Sequence, residues 1–238
     1  MRIGIIQTHG LGDIVIAAPI AYYFIERGHE IFWPIDKTFL SFMSFAFPQI
    51  CFLPVTAEPN NLDYFRYEPE SLLNNLGCDN VYELYSRLGS EPSKHPRFQE
   101  CLTFDQYKYG IAGVPFKWKW FLSDFLKRDL KSEFKLLKKV VGVSTSSYAF
   151  VHEEGSSWSV NMSDYISSKL ITIKAKPITS NPFDWLSTIE MADEVFVIDS
   201  FFANLIDQLN LNHFKVMHLV LRSPHPFTPT FIQPWKYQ

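Results

Sequence analysis

Two carboxylates stand where this chain passes from apolar strand to helix, and both positions suit chemistry on a bound ligand. The first is Asp13, in the run Gln7-Thr-His-Gly-Leu-Gly-Asp13. Ile3 to Thr8 reads as a short strand, His9 to Asp13 as a tight glycine loop, and Ile14 to Arg27 as a helix. A strand feeding a helix through glycines opens an α/β sheet, whose ligands bind beyond the carboxyl ends of its strands. A carboxylate at that helix start is favoured by the dipole and suits a general base or a ligand anchor. It suits a plain helix N-cap equally well. His9, Gly10 and Gly12 share the loop and are its candidate ligand contacts. The second carboxylate is Asp199, which with Ser200 closes the apolar run Glu194 to Ile198 and opens the helical Phe201 to Leu209. Outward backbone N–H groups at such a helix start favour a pyrophosphate, and Ser200 offers either a hydroxyl contact or an N-cap.

Several chemistries are excluded. The first loop lacks the lysine of a P-loop, and Gly10-Leu-Gly12 without a third glycine falls short of a dinucleotide fingerprint. Cys51, Cys78 and Cys101 have no metal-ligand spacing and are odd in number, which suggests reduced thiols. No Asp-x-Asp pair offers itself to a metal, so no metal site is expected. A net charge of −3 gives no global basic field, so binding to nucleic acid needs a local patch. The segment from Phe116 to Lys139 supplies one: Lys117, Lys119, Lys127 and Arg128 alternate with Trp118, Trp120, Phe121 and Phe125. It reads as a polyanion contact, in which cations bind phosphates and rings stack on bases, or as a linker helix with a solvated lysine face. The phenylalanine-rich stretch Phe39 to Phe52 reads as a core helix followed by a strand, or as an acceptor-side or membrane-facing surface. The longest apolar run, Ile14 to Ile25, is too short to span a bilayer. With strand and loop beginning at once, no signal peptide is expected, and a cytoplasmic setting follows.

Strands are expected at Glu30 to Pro34, Ile50 to Val55, Asn80 to Leu84, Val140 to Ser144, Leu170 to Ile173 and Val216 to Leu221. Helices are expected at Asp36 to Phe47, Phe98 to Tyr109, Ser163 to Lys169 and Pro182 to Met191. Residues 56 to 71, rich in Pro, Asn and Glu, read as a loop, residues 89 to 97 as a surface excursion, and Thr145 to Ser159 as a polar loop carrying His152. Alternation of this kind predicts α/β architecture with parallel sheets.

The segment Gln7 to Pro19, with Gly-Asp-hydrophobic-Val and a proline inside the helix, resembles the opening of the heptosyltransferase-like (family 9 type) glycosyltransferases. Met191-Ala-Asp-Glu-Val-Phe-Val-Ile-Asp-Ser200 resembles that family's strand and Asp-Ser/Thr turn before a donor-binding helix. The resemblance implies a GT-B-like fold: two Rossmann-like parallel-sheet halves facing a cleft, an acceptor-side domain over 1–125 and a donor domain over 126–238, meeting somewhere in 116–139. It implies Asp13 as catalytic base and donor contacts from Ser144, Asp199, Ser200, Asn204 and Arg222. His9, Gly10 and Gly12 then lie on the acceptor side. Two departures stand out: Phe201 occupies the family's glycine position, and Asn204 its histidine. The loop from Ser144 to Trp158, where members often carry a basic residue, has His152 and two glutamates but no Lys or Arg, and Lys174 and Lys176 are further donor-side candidates. The proline-rich tail, Ser223 to Pro234, resembles the segment with which these enzymes cross back to the first domain.

The implied reaction is inverting, metal-independent transfer from a nucleotide-diphosphate-sugar, UDP- or ADP-linked, with no other cofactor. The acceptor is a saccharide or, given the basic-aromatic segment, a hydroxymethylated DNA base of the kind phage enzymes modify. The alternative is a non-catalytic nucleotide- or sugar-binding module with a degenerate donor site. Oligomeric state is not legible.

Overall fold

The structure is a computed structural model and describes residues 1–59, 61–85, 103–142, 147–155, 158–211, 213–214, 216–221 and 228–238. The chain divides into two compact units. One comprises Met1–Lys127 with the described part of His225–Thr230, and the other Arg128–Pro224 with Phe231–Gln238.

The first unit is built on four parallel strands, β1 (Arg2–Ile6), β2 (Glu30–Asp36), β3 (Cys51–Val55) and β4 (Asn80–Glu83), in the order β3-β2-β1-β4. Ile3, Ile5 and Ile6 of β1 are all buried, as a parallel strand covered on both faces requires. Helix α1 (Leu11–Ile25) is apolar nearly all round and buries Ile14 through Tyr22. That pattern belongs to a helix enclosed by its neighbours rather than lying on a surface. Phe42, Met43, Phe47, Ile50 and Phe52, from α2 (Leu40–Ala46) to β3, are buried too. The phenylalanine-rich stretch is therefore mainly core, with Phe45 left exposed.

Residues 56–71 depart from the predicted loop. A π-helical turn at Asp63–Tyr67 runs into α3 (Glu68–Asn75). Pro69 is no obstacle there, because a first-turn residue needs no intrahelical N–H bond. Helix α4 (Phe104–Ala112) and a 3-10 segment, Phe116–Asp124, complete the unit.

The second unit carries α5 (Leu130–Val141), β5 (Tyr148–His152), β6 (Ile171–Lys174), α6 (Leu186–Glu190), β7 (Glu194–Ile198), α7 (Phe201–Gln208), β8 (Val216–Val220) and β9 (Lys236–Tyr237). Its sheet is parallel throughout, in the order β6-β5-β7-β8-β9. The strand expected at Val140 to Ser144 is not formed where it is described: α5 runs on through Val141. Leu136, Leu137 and Val140 are spaced as one helical face, and all three pack into the core of this unit. The strand lies instead inside the stretch read as a polar loop, where Tyr148 to Val151 are buried. The helix expected at Ser163 to Lys169 shrinks to a 3-10 turn, Ser163–Tyr165. Asp207, fully buried on α7, accepts from the amides of Ile232 and Gln233 (3.0 Å each) and from the Trp235 indole (3.1 Å), which fixes the tail that supplies β9.

Both sheets reverse their strand order once. After β1 the chain adds β2 and β3 on one side, then returns to lay β4 on the other; β5 is likewise flanked by β6 and β7. Crevices at such switch points, beyond the carboxyl ends of the strands, are where open α/β sheets hold ligands.

Candidate functional site

The switch point of the first unit is occupied by the glycine loop. Gly10 is the N-cap of α1, in the left-handed region at φ 78°, where a side chain is strained. Asp13 therefore is not the cap. It lies in the first turn, makes no capping hydrogen bond, and turns its carboxylate back over Gly10: a Cβ on that glycine would lie 2.7 Å from Oδ2. Its Oδ1 meets the Lys108 ammonium at 3.0 Å. Lys108 comes from α4 and is 3% exposed against 38% for Asp13. Its Nζ also donates to Gln7 Oε1 (2.5 Å) and to the Leu84 carbonyl (3.1 Å), so the ammonium is held by two hydrogen bonds beside the ion pair. Sequence reasoning missed this lysine. Nothing in Phe104-Asp-Gln-Tyr-Lys-Tyr109 separates it from a solvated surface cation.

A second constellation sits beside the first. The Tyr85 hydroxyl, just past β4, accepts from the amides of Thr8 (2.7 Å) and His9 (3.0 Å). Burial pushes this phenol up to about 12, so it stays protonated near neutrality. At the end of β2, Asp36 accepts from the Thr38 amide (2.8 Å) and hydroxyl (2.6 Å), and from the Tyr64 hydroxyl at 2.5 Å. Burial raises the Asp36 carboxyl, but these bonds and nearby His9 outweigh it and hold the group below the usual carboxylate range. His9 Nδ1 lies 3.1 Å from the same Tyr64 oxygen and 3.8 Å from Asp36 Oδ2, and its ring stacks on Phe39. The rule that ligands lie beyond strand ends could have singled out Asp36 and Tyr85, but among the strands of this unit it was applied only to the loop after β1. Gly12 lies within the first turn of α1.

The switch point of the second unit brings His152, the last residue of β5, to Ser200 after β7, with 3.0 Å between Nδ1 and the serine Oγ. The expectation that His152 is a loop residue is corrected: it ends a strand, packs edge-on against Phe202, and burial lowers it to about 4. Ser200 is the N-cap residue of α7, but its hydroxyl makes no capping bond. Asn204, buried, donates from Nδ2 to the Ser200 carbonyl (2.9 Å), and its Oδ1 has no partner among the described residues. Asp199 adjoins Ser200 and is partly buried. Phe201 packs against Phe183 and Phe202, so an aromatic ring fills the position where the resemblance has glycine. Lys174 is paired with Glu153 at 2.5 Å, and Lys176 is exposed. Ser144 and Arg222 lie outside the described residues.

The basic-aromatic segment is not the cationic surface it resembles. Lys119 is wholly buried, paired at 2.7 Å with Asp105, itself wholly buried, and donates also to the Thr230 carbonyl. Arg128 is held by Glu133 (2.5 Å) and Glu190 (2.6 Å), and the Glu133 bond, joined by Glu190, outweighs burial and raises its affinity for the proton. Both are withdrawn as contacts for an external polyanion, because their charges are neutralised within the protein. Lys117 and Lys127 are exposed, the latter with Nζ 4.5 Å from the centre of the Phe45 ring.

No protein-family profile matches the chain, and no curated protein matches it in sequence. Solved structures do match in fold. A family 9 glycosyl transferase from Veillonella parvula DSM 2008 aligns over 100% of this chain and 86% of its own at 12% identity, with a TM-score of 0.61. TibC, an iron-containing dodecameric glycosyltransferase from enterotoxigenic E. coli H10407, aligns over 98% of this chain at 14% identity and a TM-score of 0.58. This chain spans 61% of TibC, which has also been solved with ADP-D-β-D-heptose. The E. coli ADP-heptose LPS heptosyltransferase II aligns over 100% of this chain and 90% of its own at 11% identity, with a TM-score of 0.52. At these identities the likeness is one of fold: the chain has the GT-B α/β architecture of the family 9 glycosyltransferases. Among the described residues no three His, Cys, Asp or Glu side chains gather as metal ligands. No described helix is long and apolar enough to cross a membrane.

Proposed function

We propose that the protein is a glycosyltransferase that moves a sugar from a nucleotide-diphosphate-sugar to an acceptor hydroxyl, with Asp13 as general base. The observation that carries this reading is the Asp13 carboxylate, fixed by buried Lys108 through one oxygen at the switch point of a family 9 type fold. Oδ2 has no partner among the described residues and is the oxygen left to take a proton. As the acceptor oxygen bonds to the anomeric carbon, its proton passes to Oδ2. The bond from that carbon to the donor phosphate breaks, and its electron pair leaves with the nucleotide diphosphate, inverting the centre. On the donor side, the N–H groups at the start of α7, with Ser200 and Asn204, are groups among the described residues suited to stabilise the departing phosphate. An ADP-sugar is the first donor to test, since TibC has been solved with one. Internal pairing of Lys119 and Arg128 favours a saccharide over a DNA acceptor.

A second reading, a binding module without turnover, is favoured by the ring of Phe201 at the start of α7 and by the engagement of the Ser200 hydroxyl with His152. Thermal shift of the wild type and Asp13→Ala against ADP, UDP, GDP and CMP and their sugar conjugates separates the possibilities. Stabilisation of both proteins by one nucleoside diphosphate, with sugar transfer only by the wild type, is the expected result. Stabilisation with equal transfer by both would remove Asp13 as base. Stabilisation without transfer by either would favour the binding module. No stabilisation at all would remove the donor site. Salt-dependent retention on DNA would restore the nucleic-acid acceptor.

A further inference from the structure

The atoms left open at the glycine loop share one hydrogen-bonding sense. The Tyr64 hydroxyl has one proton, and it is given to Asp36 Oδ2 at 2.5 Å. The contact between His9 Nδ1 and the Tyr64 oxygen is then satisfied only if Nδ1 carries the hydrogen. A neutral imidazole with its proton on Nδ1 has a bare lone pair on Nε2. Nε2 has no partner among the described residues, and the ring is half exposed. Asp13 repeats the arrangement: one oxygen is held by Lys108, the other is open.

The loop's cation is meanwhile spent. Lys108 is buried, donates to Gln7 Oε1 and the Leu84 carbonyl, and is ion-paired with Asp13. The start of α1 would draw an anion, but it already holds one, since Asp13 Oδ2 lies over Gly10. A phosphate brought here meets the Asp13 carboxylate at the mouth of the loop, where like charges repel. A hydroxyl meets two acceptors.

We infer that the acceptor taken by this loop is a neutral, hydroxyl-rich sugar, read by His9 Nε2 and Asp13 Oδ2 as hydrogen-bond acceptors, and not a phosphorylated one. This rests on the reading of the loop as the acceptor side of a sugar transferase. His9 is thereby a specificity residue, its tautomer set by Tyr64 and Asp36. The other groups packed around it are the Phe39 ring and the Tyr85 hydroxyl, which holds its amide.

The test is two-bond proton–nitrogen NMR of the imidazoles in ¹⁵N-histidine-labelled full-length protein at mildly alkaline pH, with His9 assigned through His9→Gln. Wild type should show the Nδ1–H tautomer at His9, and Tyr64→Phe should lose that fixed preference. Methyl glycosides of common hexoses and heptoses, added without any nucleotide, should move the Nε2 signal. Their 6-phosphates should bind at least about tenfold more weakly, the least expected where like charges meet. An Nε2–H tautomer, tighter binding of the phosphates, or no response to any neutral glycoside would each overturn the inference. Because no donor is present, selective binding of neutral sugars by a protein that never transfers one would sink the transferase reading and keep the loop's selectivity. Transfer to phosphorylated acceptors alone would do the reverse.

Discussion

The Asp13 carboxylate and the Lys108 ammonium meet at 3.0 Å, and it is the lysine that is sunk in the protein while the carboxylate remains open. A buried cation held by two hydrogen bonds of its own acts as a fixed mount for a more exposed anion. Lys108→Met should leave Gln7 Oε1 and the Leu84 carbonyl without their donor, at a cost of about 1–3 kcal/mol each at most. It should also free Asp13 to rotate, lowering kcat by about a hundredfold, the effect of a displacement on the order of 1 Å. Asp13→Asn leaves the buried Lys108 ammonium without its carboxylate, so it should cost about 1–3 kcal/mol of stability while losing roughly 10²–10⁴-fold in kcat. Urea unfolding beside transfer kinetics checks both, and a Lys108→Met protein with full turnover would remove the mount.

Gly10 tests the same geometry from the backbone. Alanine there meets two penalties: a left-handed φ of 78° and a Cβ only 2.7 Å from Asp13 Oδ2. Gly28 has nearly the same φ, 79°, with nothing within 4 Å of an added Cβ. Both substitutions should cost about 1–3 kcal/mol in backbone strain. Gly10→Ala alone should abolish turnover while leaving nucleotide binding intact. Equal turnover in the two variants, measured beside their denaturation midpoints, would contradict the contact.

Much of this was legible in the sequence, and the failures have physical causes. Glu194–Ile198 was read to the residue, because a short apolar run bounded by turn residues has one reading inside a parallel sheet. The position of Asp13 in the first turn of α1 was legible because glycines mark where strand becomes helix. Val140 and Val141 misled because β-branched residues favour strands locally, while their spacing from Leu136 and Leu137 makes them the inner face of a helix. Lys108, Lys119 and Arg128 were not legible as they stand. Whether a lysine is a solvated charge or a buried mount depends on partners distant in sequence, Asp13 and Asp105 among them.

The pair Lys119–Asp105 should behave as structure and not as a nucleic-acid contact. Both side chains are fully buried, so removing one charge strands the other. Lys119→Met should cost about 3–5 kcal/mol. Adding Asp105→Leu should recover only part of that loss, because the Thr230 amide, which donates to Asp105 Oδ2 at 2.9 Å, then has no acceptor. Chemical denaturation of the three proteins measures this, and a Lys119→Met variant as stable as wild type would show that the pair contributes nothing.

His152 gives the second unit a built-in acid sensitivity. Burial lowers its imidazole from 6.5 to about 4, so the unfolded chain binds the proton before the folded one does. Stability from this residue is therefore complete above about pH 6.5 and falls as pH drops toward about 4, by at most about 3 kcal/mol. His218, lowered by burial and then by Lys236, acts in the same direction. Asp36, Glu68 and Glu153 also lose stability in acid, but further down, since burial would raise them while their hydrogen bonds hold all three below the usual carboxylate range. Glutamine at 152 cannot titrate and can still bond the Ser200 hydroxyl. In urea titrations between pH 7.5 and 5, chosen to lie above those carboxylates, the wild type should lose stability steadily and His152→Gln much less. The same slope in both proteins would mean that His152 is protonated in the folded state as readily as in the unfolded one. The neutral Ser200–His152 contact at the start of α7 would then have to be abandoned.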